Sequence, residues 1–111
     1  MINIEDFAKV EIRAGKILSA EPVEGSEKLL KLSVDFNEEN PRQVLSGIAK
    51  HISPEELVGI TCAFVTNLEP RQMMGLESEA MIMAFSGSSE QGEFFSLLKV
   101  PPEVTPGTLV K

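Results

Sequence analysis

Few side chains of this chain could support nucleophilic catalysis, because its 111 residues include one histidine and one cysteine. A catalytic nucleophile needs a base within hydrogen-bonding reach and a third group that orients the base. His51 comes just before Ser53-Pro54, a pair typical of a helix start, so we interpret it as a histidine of a surface loop. Cys62 alternates with apolar neighbours, which favours a small buried residue over a reactive thiol.

Paired carboxylates are the other candidates for catalysis, since two neighbouring acids can share acid and base roles. The pairs are Glu38-Glu39, Glu55-Glu56 and Glu77 with Glu79. They fall in a predicted turn, at a predicted helix start and in a predicted loop, without the apolar surroundings that this chemistry requires. The chain also has too few cysteines and histidines for a structural zinc site, and no glycine-rich phosphate-binding motif. We therefore expect no enzymatic activity, no metal and no cofactor.

Basic side chains near predicted strand ends could instead bind phosphate groups. The candidates are Lys28, Lys31, Arg42, Lys50 and Arg71. Each of them, taken alone, is explained equally well as a solvating surface charge. The chain has no tryptophan or tyrosine, and Phe36 and Phe64 fall on apolar strand faces, so stacking of single-stranded bases is disfavoured. The nucleic acid that this pattern allows is a folded RNA, recognised by its shape, phosphates and 2′-hydroxyls.

Alternating apolar and polar residues predict the elements that position these side chains. The predicted strands are Lys9–Ala20, Leu30–Phe36, Arg42–Ala49, Ile60–Leu68, Ala80–Phe85 and Phe94–Leu98. Gly15 lies within the first of them and predicts a bulge or bend there. A short helix is predicted to begin at Pro54 and to end by Gly59.

The order of these elements predicts an all-β fold of the OB type: a five-stranded Greek-key barrel with one short helix and an extra C-terminal strand or hairpin. A chain of this length forms one hydrophobic core, and neither a linker nor a repeat divides it. We therefore expect a single domain over residues 1–111. Its composition, 42% hydrophobic and 24% charged, is that of a folded globular protein.

The chain is acidic, with 17 Asp and Glu against 10 Lys and Arg and a formal net charge of -7. A negative protein is repelled by polyanions such as DNA unless its basic residues cluster on one face. No run of apolar residues is long enough to cross a bilayer, and residues 1–7 lack the pattern of a secretion signal. We expect a cytoplasmic protein with neither a membrane nor DNA as its partner.

Several segments, in order, resemble one known family. They are Ile4-Glu5-Asp6-Phe7, Lys9-Val10-Glu11-Ile12-Arg13, Val23 to Leu32, Ser46-Gly47-Ile48-Ala49-Lys50, Pro54 to Gly59, and Asn67-Leu68 through Pro70-Arg71 to Gly75, Ser78 and Met81. Together they resemble the tRNA-binding OB domain of methionyl-tRNA synthetases, which occurs at their C-terminus or as a separate β subunit, and of EMAP II-like proteins. A bacterial secretion-associated chaperone has the same domain. The resemblance covers nearly the whole chain.

This resemblance implies a non-catalytic protein that binds tRNA by its shape and serves an aminoacyl-tRNA synthetase as an accessory factor. The implied tRNA-binding residues are Lys28, Lys31, Ser46, Asn67, Arg71, Ser78 and Met81, with Arg42 and Lys50 as further candidates. The basic residues are expected to contact phosphates, and the serines and the asparagine to hydrogen-bond the RNA backbone or ribose. Met81 is expected either at the RNA surface or beneath the site. The resemblance also implies a homodimer, which presents two surfaces to one large ligand.

The chain departs from the family pattern at three positions. Glu69 and Gln72 stand where many members have basic residues, and Ala80 stands where glycine is common. Fewer phosphate contacts reduce both the affinity for RNA and its salt dependence. Two alternatives therefore stay open. One is a dimeric chaperone that binds unfolded polypeptide through apolar surface in the Met73–Met83 region, and the other is a synthetase subunit with slight RNA affinity of its own.

Overall fold

A computed structural model describes all residues from Met1 to Lys111. Its elements are α1 (Ile4–Phe7), β1 (Ile12–Pro22), β2 (Leu30–Asp35), β3 (Arg42–Ser46), α2 (Pro54–Leu57), β4 (Thr61–Val65), β5 (Arg71–Met73), β6 (Leu76–Ser78), β7 (Met81–Ile82), β8 (Ala84–Ser89) and β9 (Gly92–Leu97). The prediction of an all-β fold is confirmed.

Five strands form an antiparallel, nearly closed barrel in the order β3-β2-β1-β4-β7. β1 is long enough to pair with β2 along one part and with β4 along another, so it turns a corner of the barrel. The segment after β6 bridges the gap beside β3, where the Glu79 N–H donates to the Gln43 carbonyl at 2.8 Å. The predicted OB-type barrel is confirmed, and β8 with β9 forms the predicted C-terminal hairpin.

The core lies inside the barrel and follows the alternation of β2. Leu30, Leu32 and Val34 are fully buried, whereas the residues between them are partly exposed. Phe36 and Phe64 meet edge to face in this core, with ring centroids 5.2 Å apart. Because the apolar residues of β2 point inward, its polar residues lie on the outer face and are available to a surface site.

The curvature of β1 has two local causes. A Cβ atom at Gly15 would lie 2.5 Å from Cε1 of Phe36, so glycine is required for the core to close at this point. The bulge predicted near Gly15 lies slightly further along, where the pairing register shifts between Ile17 and Ser19. Because of the shift, Leu18 and Ser19 are both exposed in succession, and Ala20 is the next residue to pair with a buried residue of β2.

The β5–β6 hairpin differs from the sequence prediction, which has a loop over these residues. Its two-residue turn, Met74-Gly75, has positive φ at both positions, as a tight hairpin requires. Methionine lacks the Asn-Gly signature of this turn, which explains why the sequence does not reveal the hairpin. The prediction of one strand over Ala80–Phe85 is also wrong, since this segment divides into β7 and β8.

The structure has two helical turns where the sequence predicts one short helix. α2 begins at Pro54 as predicted. α1 is the additional turn, and the Asn3 side chain caps it by accepting the Asp6 N–H at 2.8 Å. Neither helix has the length or the hydropathy of a membrane span.

Candidate nucleic-acid interface

A surface cleft of about 150 Å³ opens where the β5–β6 hairpin folds over the outer face of β3. Its walls come from the end of β3, the loop before β5 and the segment after β6. The lining residues are Leu45, Ser46, Gly47, Leu68, Glu69, Arg71, Met73, Ser78, Ala80 and Met81. The fold therefore brings together four predicted site residues from distant parts of the chain: Ser46, Arg71, Ser78 and Met81.

The Ser78 side chain holds one wall of the cleft in place. It is 5% exposed, and its Oγ accepts the Leu45 N–H at 3.0 Å. The same hydroxyl donates to the Ala80 carbonyl at 3.0 Å. This side chain thus replaces a backbone hydrogen bond between β3 and β6, and its one proton already has an acceptor within the chain.

Arg71, Ser46 and Met81 present uncommitted groups to the cleft. Arg71 is exposed and forms none of the four ion pairs of the chain. Ser46 is half-buried at the end of β3, and its hydroxyl makes no internal hydrogen bond. Met81 is 46% exposed, so its side chain lies at the surface of the cleft and not beneath it.

Three lysines lie on backbone segments that neighbour the β3 side of the cleft, although none of them lines it. Lys31 pairs in register with a β3 residue that lines the cleft. Its Nζ lies 2.8 Å from Oε1 of Glu21, but the Lys31 side chain is partly exposed and that of Glu21 is exposed, and surface pairs contribute less than about 1 kcal/mol. The Ala49 N–H donates to the Lys28 carbonyl at 2.9 Å, so Lys28 and Lys50 extend from adjacent backbone segments.

Arg42, in contrast, is bound inside a polar network. Its Nη1 donates to the Thr66 carbonyl at 2.6 Å and to the Glu79 carbonyl at 3.2 Å. Its Nε and Nη2 each donate to the Glu38 carboxylate at 2.8 Å, and its guanidinium lies 5.5 Å from the centroid of the Phe36 ring. These side-chain hydrogen bonds lower the pKa of Glu38 and raise the pKa of Arg42. Arg42 ties β3 to the segments that follow β4 and β6.

Asn67 is bound internally as well. Its Oδ1 accepts the Glu11 N–H at 2.8 Å, and its Nδ2 donates to the Lys9 carbonyl at 2.7 Å. The Glu11 carboxylate accepts hydrogen bonds from Arg13 and Thr66, which lower the pKa of Glu11. Both polar atoms of the Asn67 amide thus anchor the segment before β1 to the end of β4.

The cleft also contains three residues that the sequence did not single out as tRNA-binding residues. Leu68 and Met73 supply apolar wall, and Glu69 places a carboxylate in the same cleft as Arg71 without pairing to it. Their placement depends on the β5–β6 hairpin, which has no recognisable turn signature. For Glu69, the sequence did contain a signal, since this residue departs from the family pattern.

Neither His51 nor Cys62 lines the cleft. Cys62 is fully buried, and this burial raises the pKa of its thiol to about 11. His51 is exposed, and its ring stacks on Phe95 with centroids 4.7 Å apart. No three His, Cys, Asp or Glu side chains of the structure gather as metal ligands do.

Comparison with known proteins identifies the family. The family model described as "Putative tRNA binding domain" matches residues 12–109, from the start of β1 to beyond the C-terminal hairpin. The chain belongs to this tRNA-binding domain family. The resemblance inferred from the sequence is therefore confirmed, and the cleft lies within the matched region of this tRNA-binding domain.

Individual relatives and solved structures support the same family assignment. The methionine–tRNA ligase of Methanocella arvoryzae is 44% identical over 110 residues, which are 99% of this chain and 15% of that protein. The crystal structure of a MetRS-related protein from Pyrococcus horikoshii superposes with a TM-score of 0.88 at 38% identity, covering 100% of this chain and 98% of that one. The chaperone CsaA from Bacillus anthracis str. Ames gives a TM-score of 0.82 at 28% identity, covering 100% and 99%.

Proposed function

We propose that this chain is a non-catalytic tRNA-binding protein that recognises the shape of tRNA and serves methionyl-tRNA synthetase as an accessory factor, in the manner of a β subunit. The observation that carries the proposal is the unpaired guanidinium of Arg71 in a cleft, with Lys28, Lys31 and Lys50 on backbone segments near its β3 side. Family membership supplies the class of ligand. The cleft supplies a place where that ligand meets cations that no internal carboxylate holds firmly.

The groups at the cleft suit the backbone of RNA better than its bases. Arg71 and the three lysines bind phosphates, and the Ser46 hydroxyl is available to a ribose 2′-hydroxyl. Met81 offers an apolar contact to a sugar or to the face of a base. The cleft has no aromatic residue, so it lacks a platform for base stacking. Contacts of this kind read the shape of a folded RNA with little regard to its sequence.

Three residues that the sequence analysis predicts as tRNA contacts instead hold the cleft walls in place in this proposal. Ser78 fixes the β5–β6 hairpin, Asn67 fixes the loop that begins after β4, and Arg42 fixes the start of β3. Their polar atoms are occupied within the chain, so their effect on tRNA is to position Arg71, Ser46 and the lysines.

A salt titration with bulk tRNA tests the proposal. The logarithm of the association constant is expected to fall linearly with the logarithm of salt concentration, with a slope of about -2 to -4 for three to five phosphate contacts. Filter binding or a gel shift measures it. Absence of binding at low salt, or binding without salt dependence, would contradict the proposal.

The relatives support a synthetase as the partner, because they are methionine–tRNA ligases of which this chain matches about 15% of the length. We propose that the chain acts in the cytoplasm and holds tRNA for an aminoacylating enzyme. Adding it to a methionyl-tRNA synthetase that lacks such a domain is expected to lower the KM for tRNA and leave the KM for methionine unchanged. An unchanged KM for tRNA would contradict the accessory role.

A homodimer is the proposed assembly, and its support is an apolar surface at the two chain ends. Ile4, Phe7, Val10, Leu109 and Val110 are exposed and line or border a cleft of about 340 Å³, and α1 has no buried residue. A second copy that covers this surface would bury it. Sedimentation is expected to show a dimer that Phe7→Ser dissociates and the control Phe85→Ser does not.

A chaperone role is the second candidate, because the structural likeness to CsaA extends over the whole chain. Met74 and Met81 are exposed and could bind apolar segments of an unfolded polypeptide. In that case the protein suppresses aggregation of an unfolded client at high salt, and Met74→Ser weakens this effect. An unaffected client, together with salt-sensitive tRNA binding, would decide for the tRNA role.

A further inference from the structure

The β8–β9 hairpin extends beyond the barrel as a two-stranded ribbon with unpaired edges. Every residue of β8 is exposed, and no backbone hydrogen bond joins residues 84–96 to a strand outside the hairpin. An unpaired edge offers a row of N–H and C=O groups to an added strand. A strand added there directs its side chains alternately to the two faces of the ribbon.

One face of the ribbon is aromatic. Phe85 and Gly87 of β8 lie on the same face as their β9 partners Ser96 and Phe94. Phe85 is 66% exposed and Phe94 is 50% exposed. The Phe94 ring lies against Gly87, since a Cβ atom added there would be 2.8 Å from its Cζ. This contact restricts the Phe94 ring before a ligand binds, which lowers the entropic cost of binding.

The other side of the ribbon forms a polar cleft of about 290 Å³. On this side its lining includes His51, Ser86, Ser88 and Glu93. The Glu93 carboxylate forms no ion pair in the chain. A carboxylate and two hydroxyls are common surroundings of a bound ammonium or guanidinium group.

The negative charge of the hairpin favours a positively charged partner. Between Ala84 and Leu97 it carries Glu90 and Glu93 and no basic residue. The chain as a whole has a net charge of -7. A polyanion such as RNA is repelled from this ribbon, whereas a cationic partner is attracted to it.

We infer that the β8 edge of this hairpin binds an extended basic polypeptide segment in which Lys or Arg alternates with apolar residues. The peptide adds as a third strand along β8. Its basic side chains enter the cleft toward Glu93, and its apolar side chains cover Phe85 and Phe94 on the opposite face. The binding does not depend on the tRNA site, because none of these residues lines the cleft between β3 and β5–β6.

Fluorescence anisotropy with a labelled peptide that alternates Lys and Val tests this inference. The controls are a peptide in which Glu replaces each Lys and a peptide of the same composition with the lysines and valines in two blocks. Glu93→Gln is expected to weaken binding of the alternating Lys peptide about fivefold to tenfold, since it removes a charge-assisted hydrogen bond. Glu103→Gln removes the same charge outside the hairpin, at another exposed position, and is expected to change the affinity less than twofold.

The edge and the aromatic face have their own tests. N-methylation of alternate peptide nitrogens is expected to abolish binding, because it removes main-chain donors. Phe94→Ser is expected to weaken binding about fivefold by removing the apolar contact.

Four outcomes of the peptide and dimer experiments would overturn the inference, and a fifth concerns tRNA. They are equal binding of the Glu peptide, equal binding of the block peptide, equal losses from Glu93→Gln and Glu103→Gln, and dissociation of a dimer by Phe85→Ser. The last would show that a second copy covers the aromatic face. Weaker tRNA binding by Glu93→Gln would likewise assign the ribbon to RNA and overturn the inference, whereas failure of the tRNA titration alone would leave the peptide result standing.

Discussion

Arg42 and Arg71 each begin a strand, β3 and β5, yet their surroundings are opposite. The guanidinium of Arg42 donates to Glu38 and to two backbone carbonyls and lies over Phe36. That of Arg71 lines a cleft and has no acidic partner. The first arginine holds the barrel together, and the second is available to a ligand.

The comparison shows why net charge is a poor guide to the partner of this protein. Four of its ten basic residues are in ion pairs: Lys9, Arg13, Lys31 and Arg42. A phosphate responds to the cations that remain unpaired and close together, and the acids elsewhere on the chain affect it mainly through a screened field. The net charge of -7 therefore limits the strength of RNA binding without excluding it.

Replacing Arg42 tests the structural side of the comparison and has the largest expected effect. Arg42→Met keeps the length of the side chain but leaves two carbonyls and Glu38 without their donor. We expect the free energy of unfolding to fall by about 2 to 3 kcal/mol, measured by urea denaturation. The matched control is Arg71→Met, which is expected to change it by less than about 0.5 kcal/mol. Equal losses in the two variants would contradict the distinction between them.

Ser78 connects the two regions, because its hydroxyl joins β3 to the wall of the cleft. Ser78→Ala leaves the buried Leu45 N–H without an acceptor, so we expect a loss of about 1 to 2 kcal/mol in the free energy of unfolding. Ser46→Ala is the control, since that hydroxyl has no internal partner, and it is expected to leave stability unchanged. If Ser46→Ala destabilised the protein as much as Ser78→Ala, the assignment of Ser78 to the wall would be wrong.

The barrel could be predicted from the sequence where local patterns decide the structure. β2 alternates with period two, and α2 has a serine and a proline at its start, so both have a signal within a few residues. The β5–β6 hairpin lacks such a signal because its turn contains methionine at a positive φ. The β5–β6 hairpin, which shapes the cleft, therefore could not be predicted from the sequence.

The candidate site could be predicted in part, through family resemblance. Ser46, Arg71, Ser78 and Met81 do gather at one cleft, although their contacts with RNA stay predictions. What no pattern could reveal is the internal hydrogen bonding of Arg42 and Asn67. Their partners are backbone carbonyls 24 and 58 residues away in sequence, and such bonds exist only after the barrel has formed.

Replacing Arg71 tests the binding side of the comparison. Arg71→Ala is expected to weaken tRNA binding about fivefold at low salt and to reduce the salt slope by about 1, the contribution of one phosphate contact. Urea denaturation is expected to show unchanged stability. Lys16→Ala removes one exposed, unpaired charge outside the cleft and is the control. An identical change in slope for Lys16→Ala would indicate that net charge, and not the cleft, determines binding.

Lowering the pH tests the Arg42 side of the comparison as well. Hydrogen bonds from Arg42 lower the pKa of Glu38 from its ordinary value of 4.5. A lowered pKa contributes stability that is present above 4.5 and is lost as pH falls through the pKa of the folded protein. The stability of the natural protein is therefore expected to decline below about pH 4.5 more steeply than that of Arg42→Met. Parallel declines, followed by urea denaturation at several pH values, would show that the pair does not contribute.

Glu69 offers the smallest and most specific test of the open cleft. Its carboxylate lies in the same cleft as Arg71 without pairing to it, so it repels an incoming phosphate. Glu69→Gln is expected to raise tRNA affinity about twofold and to leave stability unchanged, because an exposed charge in water acts weakly. Glu103→Gln removes the same charge away from the cleft and is expected to have no measurable effect. If the gain in tRNA affinity from Glu69→Gln disappears in the Arg71→Ala background, both side chains act on one phosphate. If the gain is additive, the two side chains act on the RNA independently.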